Sequence, residues 1–294
     1  MELTCYLNAM KGMKYIIGVL LIAGMYGCME ETPLDREQYI KQVYLANSFD
    51  ILYKTTLKYS DEPQSAFVSV ASSGSLPLDR DVTVTLGVDT AAVRSYNEKY
   101  LGRQKMAEYY KVLPDSVYEM PTMSVTLKKE GNIYERCPIF IQTAHLHCDS
   151  AYVIPLTIVS STVYPVSDGL ETILFSFELE NDYSGIYQMM GEKVNTATGD
   201  KQPIAKSKTL TAYSKDKLRM YVDVLQEEKE KMEENCLLLE IRPDNSVILV
   251  PYGSLVISQV EAGTYDPAAK SIQLKYEYTL DGETWQVNET LIQK

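Results

Sequence analysis

Residues 236–251, CLLLEIRPDNSVILVP, carry the reading that decides the fold. Two short apolar runs flank Pro243-Asp244-Asn245. Proline presets φ for a turn, and Asp and Asn side chains bond their own backbone, so this tripeptide reverses the chain. Run, turn and run together signal a β-hairpin. Working outward, the same texture repeats at residues 185–192, 210–214, 218–225, 255–262, 271–280 and 285–292, with a second tight turn at Tyr265-Asp266-Pro267. Eight consecutive antiparallel strands over about 110 residues suit a small up-and-down barrel, because closure removes exposed edges. The charged run at residues 226–235 (QEEKEKMEEN) lacks an apolar stripe and reads as a solvated loop, either a helical turn or a long hairpin tip.

Upstream the strands are spaced more widely. Residues 64–71 (QSAFVSVA) alternate until SSGSLP at 72–77 breaks the run. Residues 81–88 (DVTVTLGV) place Val82, Val84, Leu86 and Val88 on one face, a clean period of two. Asp89-Thr90 is expected to cap a short helix running to Tyr100, its side chain accepting from an orphan amide. Further strands are expected at 123–127, 134–142, 151–159 and 171–180, the last with Ile173, Phe175 and Phe177 on one face. This rhythm predicts a β-sandwich ending near Asn181-Asp182. The chain is thus expected to be all-β: a signal peptide at 1–27, a tether at 28–40, a sandwich at 41–182 and a barrel at 183–294.

The N-terminal segment reads as targeting sequence. Lys11 and Lys14 precede an apolar run at 15–25 (YIIGVLLIAGM), which is too short to span a bilayer, and Gly27-Cys28 follow at once. A small residue before a cysteine that closes such a run is the pattern of a bacterial lipoprotein signal, with Cys28 as the acylated residue. Met25, third before the cysteine, fits less well than Leu or Val, and Met13 would serve as well as Met1 as a start. Several acyl chains on one residue give stable anchoring where one gives only marginal binding. Met29-Glu30-Glu31 resembles the export signal that sends lipoproteins of the Bacteroidota to the outer leaflet, so the expected location is the outer membrane, lipid-anchored and facing the exterior.

Removing residues 1–27 deletes Glu2, Lys11 and Lys14 and takes the formal net charge from −12 to −13. Such a surface repels nucleic acid and anionic membranes at long range, which excludes nucleic acid as the expected partner. Cys137, Cys148 and Cys236 remain, an odd count that makes no disulfide framework; whether Cys137 and Cys148 pair is open.

Tyrosine is the compositional anomaly, with 23 Tyr against 5 Phe and 1 Trp. Its ring packs on a half-buried pleated surface while its hydroxyl reaches water, which suits β-structure first and sugar-binding faces second. No phosphate loop or nucleophile elbow is present. Carboxylate pairs such as Glu227/Glu228 and Glu233/Glu234 fall in the charged loop, and no motif supports hydrolysis, so no catalytic residue and no cofactor are expected. His145 and His147 share a face if extended, yet they are the only histidines, and a turn is the better reading than a metal site. Asp89-Thr90-Ala91, Asp115-Ser116-Val117 and Asp149-Ser150-Ala151 match a short O-glycosylation acceptor pattern. For stacking on a pyranose, Trp285 beside the Asp281-Gly282 turn is the first candidate, against the plainer role of a barrel-core tryptophan; Tyr252 and Tyr265 are weaker candidates.

Several segments carry a family resemblance. Val43-Tyr44-Leu45, Asp81-Val82-Thr83-Val84, Tyr96-Asn97, Leu113-Pro114 and Tyr152-Val153-Ile154-Pro155-Leu156 resemble domain of unknown function 1735 of Bacteroidota surface lipoproteins, a module that also precedes the catalytic domain of some family 18 endo-glycosidases. Tyr183-Ser184-Gly185-Ile186-Tyr187, Tyr265-Asp266-Pro267 and Tyr276-Glu277-Tyr278 resemble its lipocalin-like partner, domain of unknown function 4361. The resemblance implies an immunoglobulin-like sandwich followed by a lipocalin/calycin-like barrel. It also implies non-catalytic glycan (carbohydrate) binding within a polysaccharide-utilisation system, beside an outer-membrane transporter complex. The Asp-rich catalytic motif of family 18 is absent. A structural or adhesive surface subunit, fimbria-like or an assembly partner, is the alternative, favoured if the terminal strand were free for donation.

Overall fold

A computed structural model describes residues 36–294. The signal peptide expected at 1–27, the acylation site Cys28 and the start of the tether lie outside the described residues.

The first half is a sandwich of two sheets. One orders β1 (Val43–Leu45), β3 (Gln64–Ser72), β8 (Tyr134–Ile141) and β6 (Tyr118–Glu119). The other orders β2 (Leu52–Lys58), β10 (Thr172–Glu180), β9 (Tyr152–Ser161), β4 (Val82–Val88) and β7 (Ser124–Leu127), with β5 (Lys111–Val112) also pairing β9. The alternating residues read from sequence meet between the sheets, except Val88, which is exposed at the end of β4: Val82, Val84 and Leu86 of β4 and Ile173, Phe175 and Phe177 of β10 pack with Val68, Val70, Ile139 and Ile141. Each such side chain contributes about 1.5–3 kcal/mol when fully buried.

The second sheet is also covered on its outer side. Val153 and Leu174 point away from the sandwich core and meet Val93 of a helix, α1 (Thr90–Tyr96). A strand buried on both faces reads as a continuous apolar run rather than an alternation, which is why β9 contains Val153-Ile154-Pro155-Leu156. Asp89 caps α1, accepting from the amides of Ala91 and Ala92 at 3.0 and 3.3 Å. The regular helix expected to reach Tyr100 stops at Tyr96; the chain widens into a π-turn over Asn97–Leu101 and then tightens into a 3-10 segment at Arg103–Glu108.

The second half is a closed barrel in which every strand pairs with its sequence neighbours: β11 (Gly185–Asn195), β12 (Lys201–Ala212), β13 (Lys217–Tyr221), β14 (Cys236–Ile241), β15 (Ser246–Pro251), β16 (Val256–Asp266), β17 (Ser271–Leu280) and β18 (Glu283–Gln293). Antiparallel pairing of β11 with β18, from Tyr187↔Gln293 to Asn195↔Trp285, closes the ring. Gly191 lies in this seam, where a Cβ would come within 2.2 Å of the Asn288 carbonyl oxygen. Only a glycine lets the two backbones approach so closely.

Between β15 and β16 just two residue pairs are in register, Ser246↔Thr264 and Val247↔Gly263. The Gln259 side chain fills the gap, donating to the Val247 carbonyl at 2.8 Å and accepting from the Leu249 amide at 3.2 Å. The charged run 226–235 forms a 3-10 turn, Lys229–Lys231, and a short helical turn, Met232–Asn235. Cys137, Cys148 and Cys236 are all free thiols.

Candidate functional site

Three places bring polar and aromatic side chains together: the barrel lumen, the joint between the two halves, and a pair of grooves around Tyr110.

In the lumen, inward positions of β17 and β18 place Tyr276, Tyr278, Trp285 and Glu289 opposite Lys193 of β11 and Lys208 of β12. Lys193 Nζ donates to Asp223 Oδ2 at 2.6 Å and stands 4.6 Å from the centre of the Trp285 ring. The Tyr278 hydroxyl donates to the same Asp223 oxygen at 2.8 Å, and the Tyr276 hydroxyl donates to Glu289 Oε1 at 3.1 Å. Lys208 Nζ donates to the Tyr221 carbonyl at 2.9 Å and lies 3.7 Å from Glu289 Oε2. Burial pushes the Glu289 carboxyl up and the Lys208 ammonium down, and each charge partly offsets the other. Asp223 and Glu289 are thus two neighbouring carboxylates, but at 0 % and 1 % exposure they sit inside a filled barrel rather than in a cleft. Trp285 is half-buried, packed on the barrel core under the Lys193 ammonium.

At the joint, Arg219 projects from the outer wall of β13 into the 147–149 loop of the sandwich. Its guanidinium donates to both oxygens of Asp149, with the Nη2–Oδ1 bond at 2.7 Å. Burial works to raise the Asp149 carboxyl, and the hydrogen bonds and charge of Arg219 outweigh it and hold the group below the ordinary carboxylate range. Tyr252 lies against the same guanidinium, 5.6 Å from ring centre to Cζ, and meets Tyr213 edge-on at 6.1 Å. Tyr265 packs edge-on against Tyr183 at 5.0 Å beside the segment linking the halves. The structure therefore brings Tyr252 and Tyr265 to the domain junction, well apart in role from Trp285 in the lumen.

His147, Cys148 and Asp149 hold their ligand atoms within 4.8 Å of one another. Asp149 is engaged by Arg219, the His147 Nδ1 accepts from the Asp149 amide at 3.2 Å, and burial pushes the Cys148 thiol up to about 11. This donor set is arranged to satisfy a guanidinium rather than a metal ion. His145 is exposed and is not part of the trio.

The third place was not singled out as a site in the sequence. Asn97, 5 % exposed, reaches across to Tyr110, its side-chain amide donating to the Tyr110 carbonyl at 2.9 Å and its oxygen accepting from the Tyr110 amide at 3.0 Å. This two-point clamp fixes the backbone from which the Tyr110 ring projects. Tyr96 stacks with Tyr100 at 4.7 Å and meets Tyr110 edge-on at 5.7 Å. Lys54 Nζ lies 5.9 Å from the Tyr110 ring centre, and hydrogen bonding to Tyr110, opposed by desolvation, raises the ammonium above its ordinary range.

Tyr110 lines two open grooves. One, of about 740 Å³, runs along α1 and includes Tyr109. The other, of about 800 Å³, lies between the outer faces of β2 and β10 and the outer wall of β11 and β12. Clefts of this size are common ligand sites, and the second lies at the domain junction, where such sites concentrate. The only sequence signal for the clamp was Tyr96-Asn97 within the family resemblance.

Comparison with known proteins fits this architecture. A family model of an N-terminal domain matches residues 39–165, and the model of the corresponding C-terminal domain matches residues 171–292. No curated protein matches the sequence. Among solved structures, a Bacteroides ovatus protein of unknown function is similar at a TM-score of 0.67 and 15% identity, covering 85% of this chain and 93% of that one. A multidomain Bacteroides ovatus protein that includes domain of unknown function 1735 is similar at 0.62 and 14% identity, covering 82% and 89%. An auxiliary nutrient binding protein of Bacteroides thetaiotaomicron is similar at 0.58 and 14% identity, covering 81% and 89%. At these identities the likeness is one of fold. With both domain models matched in order along the chain, the protein belongs to the family in which domain of unknown function 1735 precedes a lipocalin-like C-terminal barrel.

Proposed function

We propose that this chain is a non-catalytic, carbohydrate-binding lipoprotein, anchored in the outer membrane through acylated Cys28, facing the cell exterior and passing glycan to an outer-membrane transporter complex. The observation that carries the binding reading is the clamped Tyr110, a fixed aromatic ring shared by two open grooves, one along α1 and one at the junction of the domains. A preset ring loses little freedom on stacking against a sugar, and polar neighbours such as Lys54 and Glu178 are placed to read hydroxyls. The nutrient-binding description of a similarly folded Bacteroides protein supports the same reading. Trp285, Tyr252 and Tyr265 line neither of these grooves, so they rank behind Tyr110 as contacts.

A glycan array and affinity electrophoresis with the mature chain carrying Cys28→Ser test the binding. Retention by at least one plant, host or microbial glycan, weakened by Tyr110→Ala, is expected, and no retention by any would overturn the reading. Anchoring is tested separately by fractionating cells that express the wild type or Cys28→Ser; equal membrane association of the two would remove the lipid from the account. The adhesive alternative needs a terminal strand available for donation. β18 is hydrogen-bonded to β11 on one side and β17 on the other, and nothing here favours that alternative.

A further inference from the structure

The groove along α1 differs electrically from the rest of an acidic molecule. Among the described residues, Arg80 pairs with Asp79, Arg219 with Asp149 and Arg242 with Glu240, and Arg136 lies over the Phe67 ring at 4.2 Å. Arg94 and Arg103 both line this groove, both are exposed, and neither guanidinium has a carboxylate, hydrogen-bond or ring partner among the described residues. The chain carries 40 acidic against 28 basic residues, so a surface arginine would ordinarily find a carboxylate nearby. Glu98 is the one carboxylate lining the groove. It follows Arg94 by four residues, yet the two make no ion pair.

Two planar guanidinium forks that pair with no carboxylate suit an external anion with paired oxygens. A carboxylate or sulfate accepts two parallel N–H bonds from such a fork, a match that a lysine cannot reproduce. Tyr109 and Tyr110 supply rings, and Val93, Met106 and Val112 supply apolar surface. An inorganic anion would make no use of these. A sugar ring bearing an acidic group would use all of them.

We infer that the groove along α1 binds an acidic sugar residue, a uronate or a sulfated pyranose, with its anionic group on Arg94 and Arg103 and its ring against Tyr109 and Tyr110. This rests on the carbohydrate reading above and specifies its ligand class. The mature Cys28→Ser chain is titrated by calorimetry with oligomers of polygalacturonate, kappa-carrageenan and neutral β-1,4-galactan. The expected result is tighter binding of one of the acidic glycans, weakened by high salt. The double substitution Arg94→Gln/Arg103→Gln should lower that affinity about tenfold or more while leaving the melting temperature unchanged. Preference for polygalacturonate assigns the anion as carboxylate, and preference for kappa-carrageenan, which carries sulfate and no uronate, assigns it as sulfate. Equal binding of acidic and neutral glycans, or acidic binding indifferent to the double substitution, would overturn this inference and leave the carbohydrate reading standing. If neither these polymers nor the array yields any binding, both fall together.

Discussion

Arg219 of the barrel and Asp149 of the sandwich are joined by two charge-assisted hydrogen bonds, with the arginine 7 % exposed and the carboxylate side chain 29 % exposed. A guanidinium taken so far from water depends on its partner, because an uncompensated buried charge is costly. Asp149→Ala is therefore expected to destabilise the protein by about 2–3 kcal/mol, less than a fully buried pair because Asp149 keeps some solvent. Urea unfolding measures the loss, and limited proteolysis should show faster cleavage near Asn181. An unchanged midpoint and cleavage rate would show that the pair is not what holds the joint.

The same pair sets an acid limit. The Asp149 carboxyl is held below the ordinary range in the folded protein, so the unfolded chain binds its proton more readily. Its contribution is fully present above the unfolded value of about 3.9 and is lost as pH falls through the lower, folded value. The difference in stability between wild type and Asp149→Asn should be constant from pH 7 to about 5 and shrink below about 4. A difference that grew on acidification would contradict the assignment.

Lys208 and Glu289 lean on each other inside the barrel. Lys208→Met alone leaves Glu289 buried without its cation and should cost about 3–5 kcal/mol. Lys208→Met with Glu289→Leu should recover most of that loss, since a packed apolar pair often replaces a buried ion pair at no cost. Chemical denaturation of both variants decides; a double variant no better than the single would show that the lumen needs the charges themselves.

Gly191→Ala places a methyl against the Asn288 carbonyl and the Glu289 Cα, which are backbone atoms that cannot rotate away. The closing seam must shift, at an expected cost of about 1–3 kcal/mol. Hydrogen exchange should rise in β11 and β18 ahead of the other strands. Unchanged protection there would mean that the seam adapts.

Burial pushes the Cys236 thiol up to about 12 and the Cys148 thiol up to about 11, and it also raises Cys137. Thiolate is the reactive form, so all three should label slowly with a disulfide reagent at pH 8 in the folded protein and rapidly in denaturant. Fast reaction of one thiol in the folded state would mark a local opening at that position.

How far the sequence could be read follows from what each element buries. β4 and the β14–β15 hairpin were legible because one face is apolar and the turn chemistry is local. β12 is twelve residues long, Lys201–Ala212, and only its end was expected. Lys206 and Lys208 occupy inward positions there, and a lysine pointing into a core erases the alternation that marks a strand. β2 was missed for a related reason: Leu57 is its only buried residue, and it is held by parallel pairing to β10, more than a hundred residues away.

The Tyr110 clamp left no periodic trace either. Asn97 begins the π-turn and Tyr110 follows the 3-10 segment, and only the folded chain shows that they meet. Arg219 is an outward residue of β13 whose burial comes from the other domain, a contact that no strand periodicity records.

Closure of the barrel through β11 and β18 has a kinetic consequence. Tyr187 finds its cross-strand partner Gln293 only after about a hundred intervening residues have been made. Contacts this distant along the chain carry a large loop-closure entropy, and topologies dominated by them fold slowly. Until the last strand docks, β11 offers an unsatisfied edge to any other chain. The domain's vulnerable interval is therefore the time between synthesis of its first strand and arrival of its last, when crowded surroundings would favour mispairing over the native ring.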